Sequence, residues 1–260
     1  MLGAIAGDVI GSVHEGAGTK TKDFPLFGDE CRFTDDTVLT IAVAERMLHG
    51  GEYINLFHDY FHSYPQAGYG QSFALWAGYR RCEPYNSWGN GSAMRVSPVA
   101  YAFDTLEEVL DEAQRSAAVT HNHEEGVRGA QATAAAVFLA SSGASRLEIR
   151  EAIEVRFGYE LGHRLDDMRP GYVFDVSCEG SVPQSIIAFL ESTSFEDAVR
   201  GAISLGGDAD TMACIAGAIA EPFYGGVPEP IANLVLDLLD RRLRRTITEF
   251  RQRYLPERTR

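Results

Sequence analysis

Apolar residues recur at helical spacing along most of the chain. The first run places Leu2, Ile5, Ala6, Val9, Ile10 and Val13 on one face of residues 2–13. This spacing is typical of an amphipathic helix. Gly3, Gly7 and Gly11 recur within the same run and would let a second backbone approach closely. The pattern predicts an N-terminal helix that packs tightly against another element.

The same periodicity predicts a series of further helices. They cover residues 34–49, 53–63, 72–82, 105–119, 124–141, 146–157, 195–205 and 208–220, and two more complete the chain after a loop at 222–226. Another helix is expected to begin at 181–183, with a proline near its first turn. Only residues 172–176 alternate like a strand, and one short strand forms no sheet. We therefore expect an all-α, compact single domain over residues 1–260 with ten or more helices.

Composition excludes several classes of protein. The 260 residues are 45% hydrophobic, which is enough for a sizeable core. The formal net charge of -14 argues against nucleic acid or an anionic membrane as a partner, because phosphate groups would be repelled over most of the surface. A compact anionic substrate would need local help from metal ions and backbone N–H groups.

Cysteines and apolar runs suggest the compartment. The cysteines at 31, 82, 178 and 214 form no Cys-x-x-Cys pair, so they are expected to be reduced thiols. The N-terminal run meets Asp8 at once and lacks a basic lead, which favours a core helix over a signal peptide. No apolar run approaches the roughly 20 residues of a membrane span. We expect a cytoplasmic protein and favour a monomer.

Two acidic stretches stand at the start of helical runs: Thr34-Asp35-Asp36-Thr37 and Gly206-Gly207-Asp208-Ala209-Asp210-Thr211. Helix capping alone would explain either stretch, since Asp and Thr are preferred cap residues. Capping needs only one such group, however, and clustered aspartates repel one another unless a cation compensates them. Divalent ions such as magnesium prefer oxygen ligands. An EF-hand is excluded, because Met212 stands where that loop needs an oxygen ligand. The two stretches are interpreted as halves of one metal site.

Two further segments carry candidate binding groups. The glycine-rich turn at 87–95 runs directly into a helix and would expose N–H groups to an anion, although an ordinary turn with a cap is the alternative. His121 and His123 are followed by Glu124, but H-E-x-x-H is absent and no cysteine is near, so zinc is disfavoured. A pocket-wall role and a structural role both stay open for His121.

Together these segments resemble the ADP-ribosylglycohydrolase family. The resemblance rests on Gly7-Asp8-x-x-Gly11-Ser12-x-x-Glu15, Phe33-Thr34-Asp35-Asp36-Thr37, Gly89-Asn90-Gly91-Ser92-Ala93-Met94-Arg95, Thr120-His121, Ser181-Val182-Pro183 and Gly206-Gly207-Asp208-Ala209-Asp210-Thr211. It covers nearly the whole chain in order. It implies an all-α fold with two Mg²⁺ ions, or Mn²⁺ as an alternative, at the bottom of an ADP-ribose cleft.

The resemblance also implies roles for individual residues. The metal ligands would be Thr34, Asp35, Asp36, Asp208, Asp210 and Thr211, with Asp210 as a bridge. The substrate-binding residues would be Gly89, Asn90, Gly91, Ser92, Met94 and His121. Glu15 would lie on a mobile loop over the site and act in catalysis with Asp36 and Asp208. Asp8 could assist, but a role at a helix end is favoured for it.

The expected activity is hydrolysis of the α-glycosidic bond between ADP-ribose and an acceptor. ADP-ribosylated arginine is the favoured substrate, with the serine linkage and O-acetyl-ADP-ribose as alternatives. The competing hypothesis is a non-catalytic protein that binds ADP-ribose or ADP-ribosylated proteins through the same cleft. A purely structural protein, for which certain lens crystallins in the family give a precedent, is disfavoured because a scaffold has no need for clustered charges.

Overall fold

Helices account for nearly all regular structure. The computed structural model describes residues 1–255, in which fourteen α-helices and one 3₁₀ helix occur. The α-helices are α1 (Leu2–Gly11), α2 (Asp35–His49), α3 (Tyr53–Ser63), α4 (Gln71–Gly78), α5 (Gly91–Met94), α6 (Leu106–Ala118), α7 (Glu124–Ser141), α8 (Arg146–Phe157), α9 (Leu165–Met168), α10 (Cys178–Leu190), α11 (Phe195–Ile203), α12 (Ala209–Phe223), α13 (Glu229–Leu238) and α14 (Arg241–Tyr254), and the 3₁₀ helix is Ser97–Tyr101. The predicted all-α class is confirmed.

Local capping explains why several predicted boundaries agree with the structure. Ser145 forms a capping box with Glu148 at the start of α8, and Thr105 does the same with Glu108 in α6. Each box satisfies two N–H groups that the first turn leaves without a partner. At the C-terminal end of α2, Gly50 adopts a φ of 76°, in the left-handed region that favours glycine. These short-range signals are readable from sequence alone.

Helix α1 crosses α12 at backbone contact distance. A Cβ atom added at Gly7 would collide with the Ala213 carbonyl, and one at Gly11 would lie 2.5 Å from Asp210 Cα. Glu221, near the other end of α12, accepts a hydrogen bond from the Gly3 amide at 2.8 Å. The glycines predicted to allow close approach therefore do so, and they bring Asp8 of α1 close to the beginning of α12.

Three local predictions need correction. Helix α10 begins at Cys178, not at 181–183, because Ser177 supplies the cap by accepting from the Gly180 amide. Helix α12 continues through Pro222 to Phe223 and replaces part of the predicted loop. The run 172–176 is not a strand: it lies next to the Trp88–Asn90 backbone, and a single antiparallel bridge joins Gly89 to Ser177. Val173 and Phe174 are both exposed, so the alternation does not mark a buried face.

The core is one continuous cluster to which helices from both ends of the chain contribute. α12 lies at its centre: it packs against α1, α7, α10 and α11, and every residue from Ala209 to Glu221 is buried. None of the helices in residues 1–255 combines the length and apolar composition that a bilayer span requires. The central position of α12 places the Asp208–Thr211 stretch deep in the fold.

Candidate functional site

The N-termini of α2 and α12 meet beside α1. Thr34 caps α2 by accepting a hydrogen bond from the Asp36 amide, and Asp208 occupies the cap position of α12. The Thr211 hydroxyl lies 3.3 Å from Asp36 Oδ2 across this junction. The predicted meeting of the two acidic stretches is confirmed.

Carboxylates form two overlapping groups at this junction. One group contains Asp8, Asp36 and Asp210, and the other contains Glu15, Asp208 and Asp210. Within each group, one oxygen from each residue lies within 4.8 Å of the others. Asp210 belongs to both groups. The arrangement is compatible with two divalent cations that share the Asp210 carboxylate, since hard cations prefer oxygen ligands.

The environment of Asp36 and Asp210 favours a cation. Both side chains are buried, and burial is the main reason that the pKa of each lies well above the usual carboxyl value. The next cause for Asp36 is the charge of Asp8, and for Asp210 it is the charge of Asp36. Asp36 Oδ1 has no hydrogen-bond partner among the described residues. A buried, unpartnered carboxylate oxygen among like charges fits a metal ligand.

Asp8 is the best satisfied carboxylate of the cluster. It accepts hydrogen bonds from the amide and hydroxyl of Thr34 at 2.9 and 2.7 Å, and from the amide and hydroxyl of Thr37. These donors belong to the first turn of α2 and its cap. Asp8 therefore has the favoured helix-end role, although the helix it caps is α2 and not its own. Because the Thr34 proton points to Asp8, a lone pair of the Thr34 oxygen is free to bind a cation.

Asp35 lies apart from both carboxylate groups. Its amide donates to the Ala67 carbonyl at 2.7 Å, and its half-buried carboxylate lines the cleft near Gly68. Burial, followed by the charge of Asp8, raises the pKa of Asp35 to about 8. Of the four aspartates predicted to bind metal, Asp35 is the one that belongs to neither carboxylate group.

Glu15 reaches the cluster from an exposed loop. Burial of its carboxyl group, followed by the charge of Asp208, raises its pKa. The ring of the neighbouring His14 packs at a tilt against Phe24, with the ring centroids 4.4 Å apart, and hydrogen bonds to Thr19 at 2.9 Å. The Lys20 ammonium donates to the carbonyls of Tyr172 and Leu205 at 2.6 and 2.5 Å. The contacts of His14 and Lys20 hold the loop at positions before and after Glu15.

A cavity of about 520 Å³ opens above the carboxylates. It is lined by Glu15, Arg32, Thr34, Asp35, Asp36, Asp208, Asp210 and Thr211 on the acidic side, and by Trp88, Gly89, Asn90, Gly91, Met94, Arg95 and His121 on the other. All but one of the predicted site residues therefore line one cavity.

The exception among the predicted site residues is Ser92. Its side chain is fully buried, and its hydroxyl donates to the Gly126 carbonyl at 2.6 Å, away from the cavity. The packing of α5 on α7 explains this orientation. The prediction that Ser92 binds substrate is therefore not supported for its side chain.

The glycine-rich turn forms one wall of the cavity. The Asn90 amide donates to the Val176 carbonyl at 2.8 Å, so this N–H is not available to an anion. The Asn90 side chain donates to Asp208 at 2.7 Å and thereby joins the turn to the acidic cluster. A Cβ atom at Gly91 would lie 3.1 Å from His121 Nε2. The Gly89 amide also donates, to the Ser87 hydroxyl at 3.1 Å, so this turn joins the cavity wall mainly through its own hydrogen bonds.

His121 combines the two roles left open for it. It is 5% exposed, lines the cavity, and its Nδ1 lies 2.7 Å from the Thr120 hydroxyl. Burial, followed by the charge of Arg95, holds its pKa well below the usual range, so the ring is neutral at pH 7. His123 instead caps α7 by accepting from the Glu125 amide.

Several cavity residues were not predicted as site residues, among them Trp88, Arg32 and Arg95. Trp88 is 51% exposed at the rim, although large aromatic side chains are usually buried. Arg32 lies beside Glu15, where its charge opposes the rise in the pKa of that carboxyl. Arg95 is fully buried beneath His121. A tryptophan next to a glycine-rich turn is a usable signal, but nothing in the sequence shows which arginines face a cleft.

The fold and the cleft define the class: an all-helical protein whose central cavity ends in a carboxylate cluster suited to divalent cations. The family model described as ADP-ribosylglycohydrolase matches residues 1–259. The chain therefore belongs to the ADP-ribosylglycohydrolase family. This membership supports a hydrolase that acts on ADP-ribose linkages.

Individual relatives agree with this assignment. The chain is 27% identical over 307 residues to the ADP-ribosylhydrolase ARH3 of Xenopus tropicalis, covering 89% of this chain and 87% of the relative. Identity to the ADP-ribosylarginine hydrolase Tri1 of Pseudomonas putida is 31% over 176 residues, covering 59% of this chain and 46% of the relative. A solved ADP-ribosylglycohydrolase-related protein complex has the same fold, with a TM-score of 0.68, 24% identity, and coverage of 98% and 97%.

Proposed function

We propose that the protein hydrolyses the α-glycosidic bond between ADP-ribose and an acceptor, with ADP-ribosylated arginine as the favoured substrate and the serine linkage and O-acetyl-ADP-ribose as alternatives. The observation that carries the proposal is the pair of carboxylate groups that share Asp210 at the floor of the cavity. Family membership supports hydrolysis of an ADP-ribose linkage, and the relative named ADP-ribosylarginine hydrolase supports arginine as the favoured acceptor.

The metal-binding part of the proposal assigns two Mg²⁺ ions, or Mn²⁺, to this cluster. Thr34, Asp36 and Asp210 would hold one ion, and Asp208, Asp210 and Thr211 would hold the other, with Asp35 at the edge. Bound divalent ions supply positive charge that orients ribose hydroxyls or water and stabilises developing negative charge. Asp8 keeps the Thr34 hydroxyl oriented, a supporting role that metal sites commonly use.

Proton transfer is assigned to Glu15. Its carboxyl group lines the cavity next to Asp208 and Asp210, and burial followed by the charge of Asp208 raises its pKa, the direction that favours a proton donor. In the proposed reaction Glu15 moves a proton at the glycosidic bond or directs the attacking water. Asp36 and Asp208 provide negative charge close to the oxocarbenium-like transition state of the ribose.

The opposite wall would hold the rest of ADP-ribose. Gly89, Gly91 and Met94 line the cavity beside His121, where the pyrophosphate and ribose groups would lie. The exposed indole of Trp88 at the rim offers a flat surface on which a purine base can stack. In the proposal, the hydrogen bond from the Asn90 side chain to Asp208 fixes the position of this wall relative to the acidic cluster.

The test is a release assay. The protein is incubated with α-linked ADP-ribosyl-arginine, ADP-ribosyl-serine and O-acetyl-ADP-ribose, with Mg²⁺ or with chelator, and free ADP-ribose is measured. We expect magnesium-dependent release, fastest from the arginine compound. Replacement of Asp210 by Asn should reduce kcat on the order of 10²–10³-fold, because this carboxylate serves both groups.

A matched control comes from the surface. Asp111→Asn removes an exposed carboxylate of α6 and should leave the rate unchanged. Equal rates for Asp210→Asn and Asp111→Asn would refute the assigned role of the cluster. Tight ADP-ribose binding without turnover of any compound would instead establish the non-catalytic alternative.

A further inference from the structure

A buried arginine lies directly behind His121. The guanidinium of Arg95 is fully buried and stacks on the Phe57 ring at 4.3 Å. Its Nη2 donates to the Ser116 carbonyl at 2.9 Å, in the last turn of α6, and to the Thr120 hydroxyl at 2.8 Å. The negative end of the α6 dipole and the aromatic face stabilise the cation here. Burial lowers the pKa of Arg95 to about 10, which still leaves it charged at pH 7.

Thr120 connects this cation to the histidine. Its Oγ1 accepts a hydrogen bond from Arg95 Nη2 and lies 2.7 Å from His121 Nδ1. A threonine hydroxyl has one proton to donate, whereas a guanidinium can only donate. The positive charge of Arg95 turns the hydroxyl proton away from itself and toward His121. Tyr85 also faces Thr120; burial raises the pKa of its phenol to about 12, so it is protonated at pH 7 and can donate to the Thr120 oxygen as Arg95 does.

These directions determine the tautomer of the histidine. We infer that Arg95 and Thr120 hold His121 as the neutral tautomer whose Nδ1 accepts a hydrogen bond from the Thr120 hydroxyl and whose Nε2–H is presented to the cleft. The Nε2 atom faces the glycine-rich turn, since Cβ atoms added at Gly91 and Gly89 would lie 3.1 and 3.8 Å from it. In a neutral imidazole, an accepting Nδ1 leaves the proton on Nε2.

The consequence is a fixed hydrogen-bond donor on the wall opposite the carboxylates. A donor at this position suits an acceptor oxygen of a phosphate group or a sugar hydroxyl, and it is unsuited to a ligand cation. The identity of that ligand rests on the proposed function, whereas the tautomer does not. Arg95 and Thr120 are positioning residues, because they act on the ligand through His121.

The tautomer is measured on the ligand-free protein by ¹⁵N NMR of the histidine rings. The His121 signals are assigned by their loss in His121→Asn. We expect a protonated Nε2 and an unprotonated Nδ1 from pH 6 to 8. A protonated Nδ1, or an imidazolium at pH 7, would overturn the inference. Because no substrate is present, failure of the hydrolase proposal would not affect this result.

Three variants test the role of the hydroxyl. Thr120→Val should lose the preference for one tautomer and raise the Kd for ADP-ribose about tenfold, with the Mg²⁺ affinity unchanged. Thr120→Ser keeps the hydroxyl and should preserve both properties. Thr133→Val makes the same change at a buried threonine of α7 that has no hydrogen-bond partner in the described residues, and it controls for packing.

The pattern among these variants decides the outcome. Identical spectra for Thr120→Val and Thr120→Ser would show that the hydroxyl does not set the tautomer. An unchanged tautomer in Arg95→Met would assign the effect to Thr120 alone and contradict the part given to the cation. If the wild-type protein shows the expected tautomer but no ADP-ribose binding, the proposed function fails and the arrangement of Arg95, Thr120 and His121 stands.

Discussion

Glu15 and Asp36 are both close to Asp210 but meet the solvent differently. Asp36 is buried at the start of α2, whereas Glu15 lies on an exposed loop. A buried carboxylate without a hydrogen-bond partner suits a cation ligand, and an accessible one suits exchange of protons with water. In the proposed mechanism this difference in exposure assigns metal binding to Asp36 and proton transfer to Glu15.

The first prediction concerns Glu15. Glu15→Gln keeps the size of the side chain but removes the ionisable group, so kcat should fall at least about 100-fold while the Kd for ADP-ribose changes little. Isothermal titration and the release assay measure the two quantities. Glu30→Gln, an exposed position of the same long loop, is the matched control. Lost binding with a normal residual rate would contradict the assignment.

The second prediction concerns pH in the presence of chelator. A carboxyl group whose pKa is raised by folding keeps its proton longer in the folded than in the unfolded protein. Its contribution to stability is therefore full below about pH 4 and declines as the pH rises toward the folded-state pKa. Asp35 has a folded-state pKa of about 8, and the pKa values of Asp36 and Asp210 are also raised, so the metal-free protein should lose stability as the pH rises from about 4 to 8.

The variant Asp36→Asn isolates this effect. With one buried charge removed, its Tm should exceed that of the wild type at pH 8 in chelator, and the advantage should shrink toward pH 5. Thermal unfolding at both values measures the difference, and Asp111→Asn should follow the wild type. A difference that does not vary with pH would show that the Asp36 carboxyl does not titrate in this range.

At the residue scale, the sequence predicts that the two acidic stretches meet, and the structure confirms it. The signal is that each stretch holds more acidic and hydroxyl groups than a helix cap needs. That a cation binds there stays a prediction. Sequence reasoning failed where the decisive fact is three-dimensional. Ser92 belongs to the same motif as Gly91, yet the packing of α5 turns its hydroxyl to Gly126. The exposure of Trp88 likewise follows from its position at the cavity rim.

At the scale of elements, the crossing of α1 and α12 sets the spacing of the carboxylates. Asp8 on α1 and Asp210 on α12 belong to one group of carboxylate oxygens. Where the two helices cross, α1 presents Gly7 and Gly11 to the α12 backbone, so no side chain keeps the helices apart. Packed helices usually lie 8–10 Å apart, depending on the side chains at the contact. Glycine at this crossing lets the two carboxylates come within 4.8 Å of each other.

The third prediction is that Gly7→Ala damages fold and site together. The added methyl group would collide with the Ala213 carbonyl, so the helices must separate. We expect a loss of about 1–3 kcal/mol of stability, as for other overpacked cores, and a weaker Mg²⁺ affinity. Gly28→Ala is the control, because a Cβ there meets no atom within 4 Å and its φ is not left-handed. Native stability in Gly7→Ala would contradict the close crossing.

Helix boundaries could be predicted where capping is local. The expected ranges 124–141 and 146–157 agree with α7 and α8 because polar caps and a left-handed Gly158 mark their ends. The predicted start of α10 at 181–183 is too late, because proline is typical of a first helical turn and Pro183 instead lies inside the helix. Ser177 caps this helix, and its role was hidden because the preceding run resembles a strand.

At the scale of the whole molecule, the net charge of -14 opposes folding of the metal-free chain around an acidic cluster, because like charges repel. The unfolded chain separates the two acidic stretches, whereas the folded chain brings them together. A cation that binds only the folded protein therefore stabilises it by mass action.

The fourth prediction follows from this linkage. Mg²⁺ at about 100 times its Kd should raise the Tm by about 5–10 °C, and chelator should reverse the shift. Asp210→Asn should abolish the shift, while Asp111→Asn should retain it. Differential scanning calorimetry with Mg²⁺, Mn²⁺ and Ca²⁺ measures the effect and ranks the ions. An equal shift in Asp210→Asn would place the bound ion elsewhere.

The Lys20 ammonium has a consequence for how the cleft can open. It donates both to the Leu205 carbonyl, three residues before Asp208, and to the Tyr172 carbonyl of the segment that lies beside the glycine-rich turn. Movement of the Glu15 loop away from the cleft would therefore break two hydrogen bonds that tie it to both sides of the cleft. Opening at Glu15 is thus coupled to a lysine that lies outside the cavity.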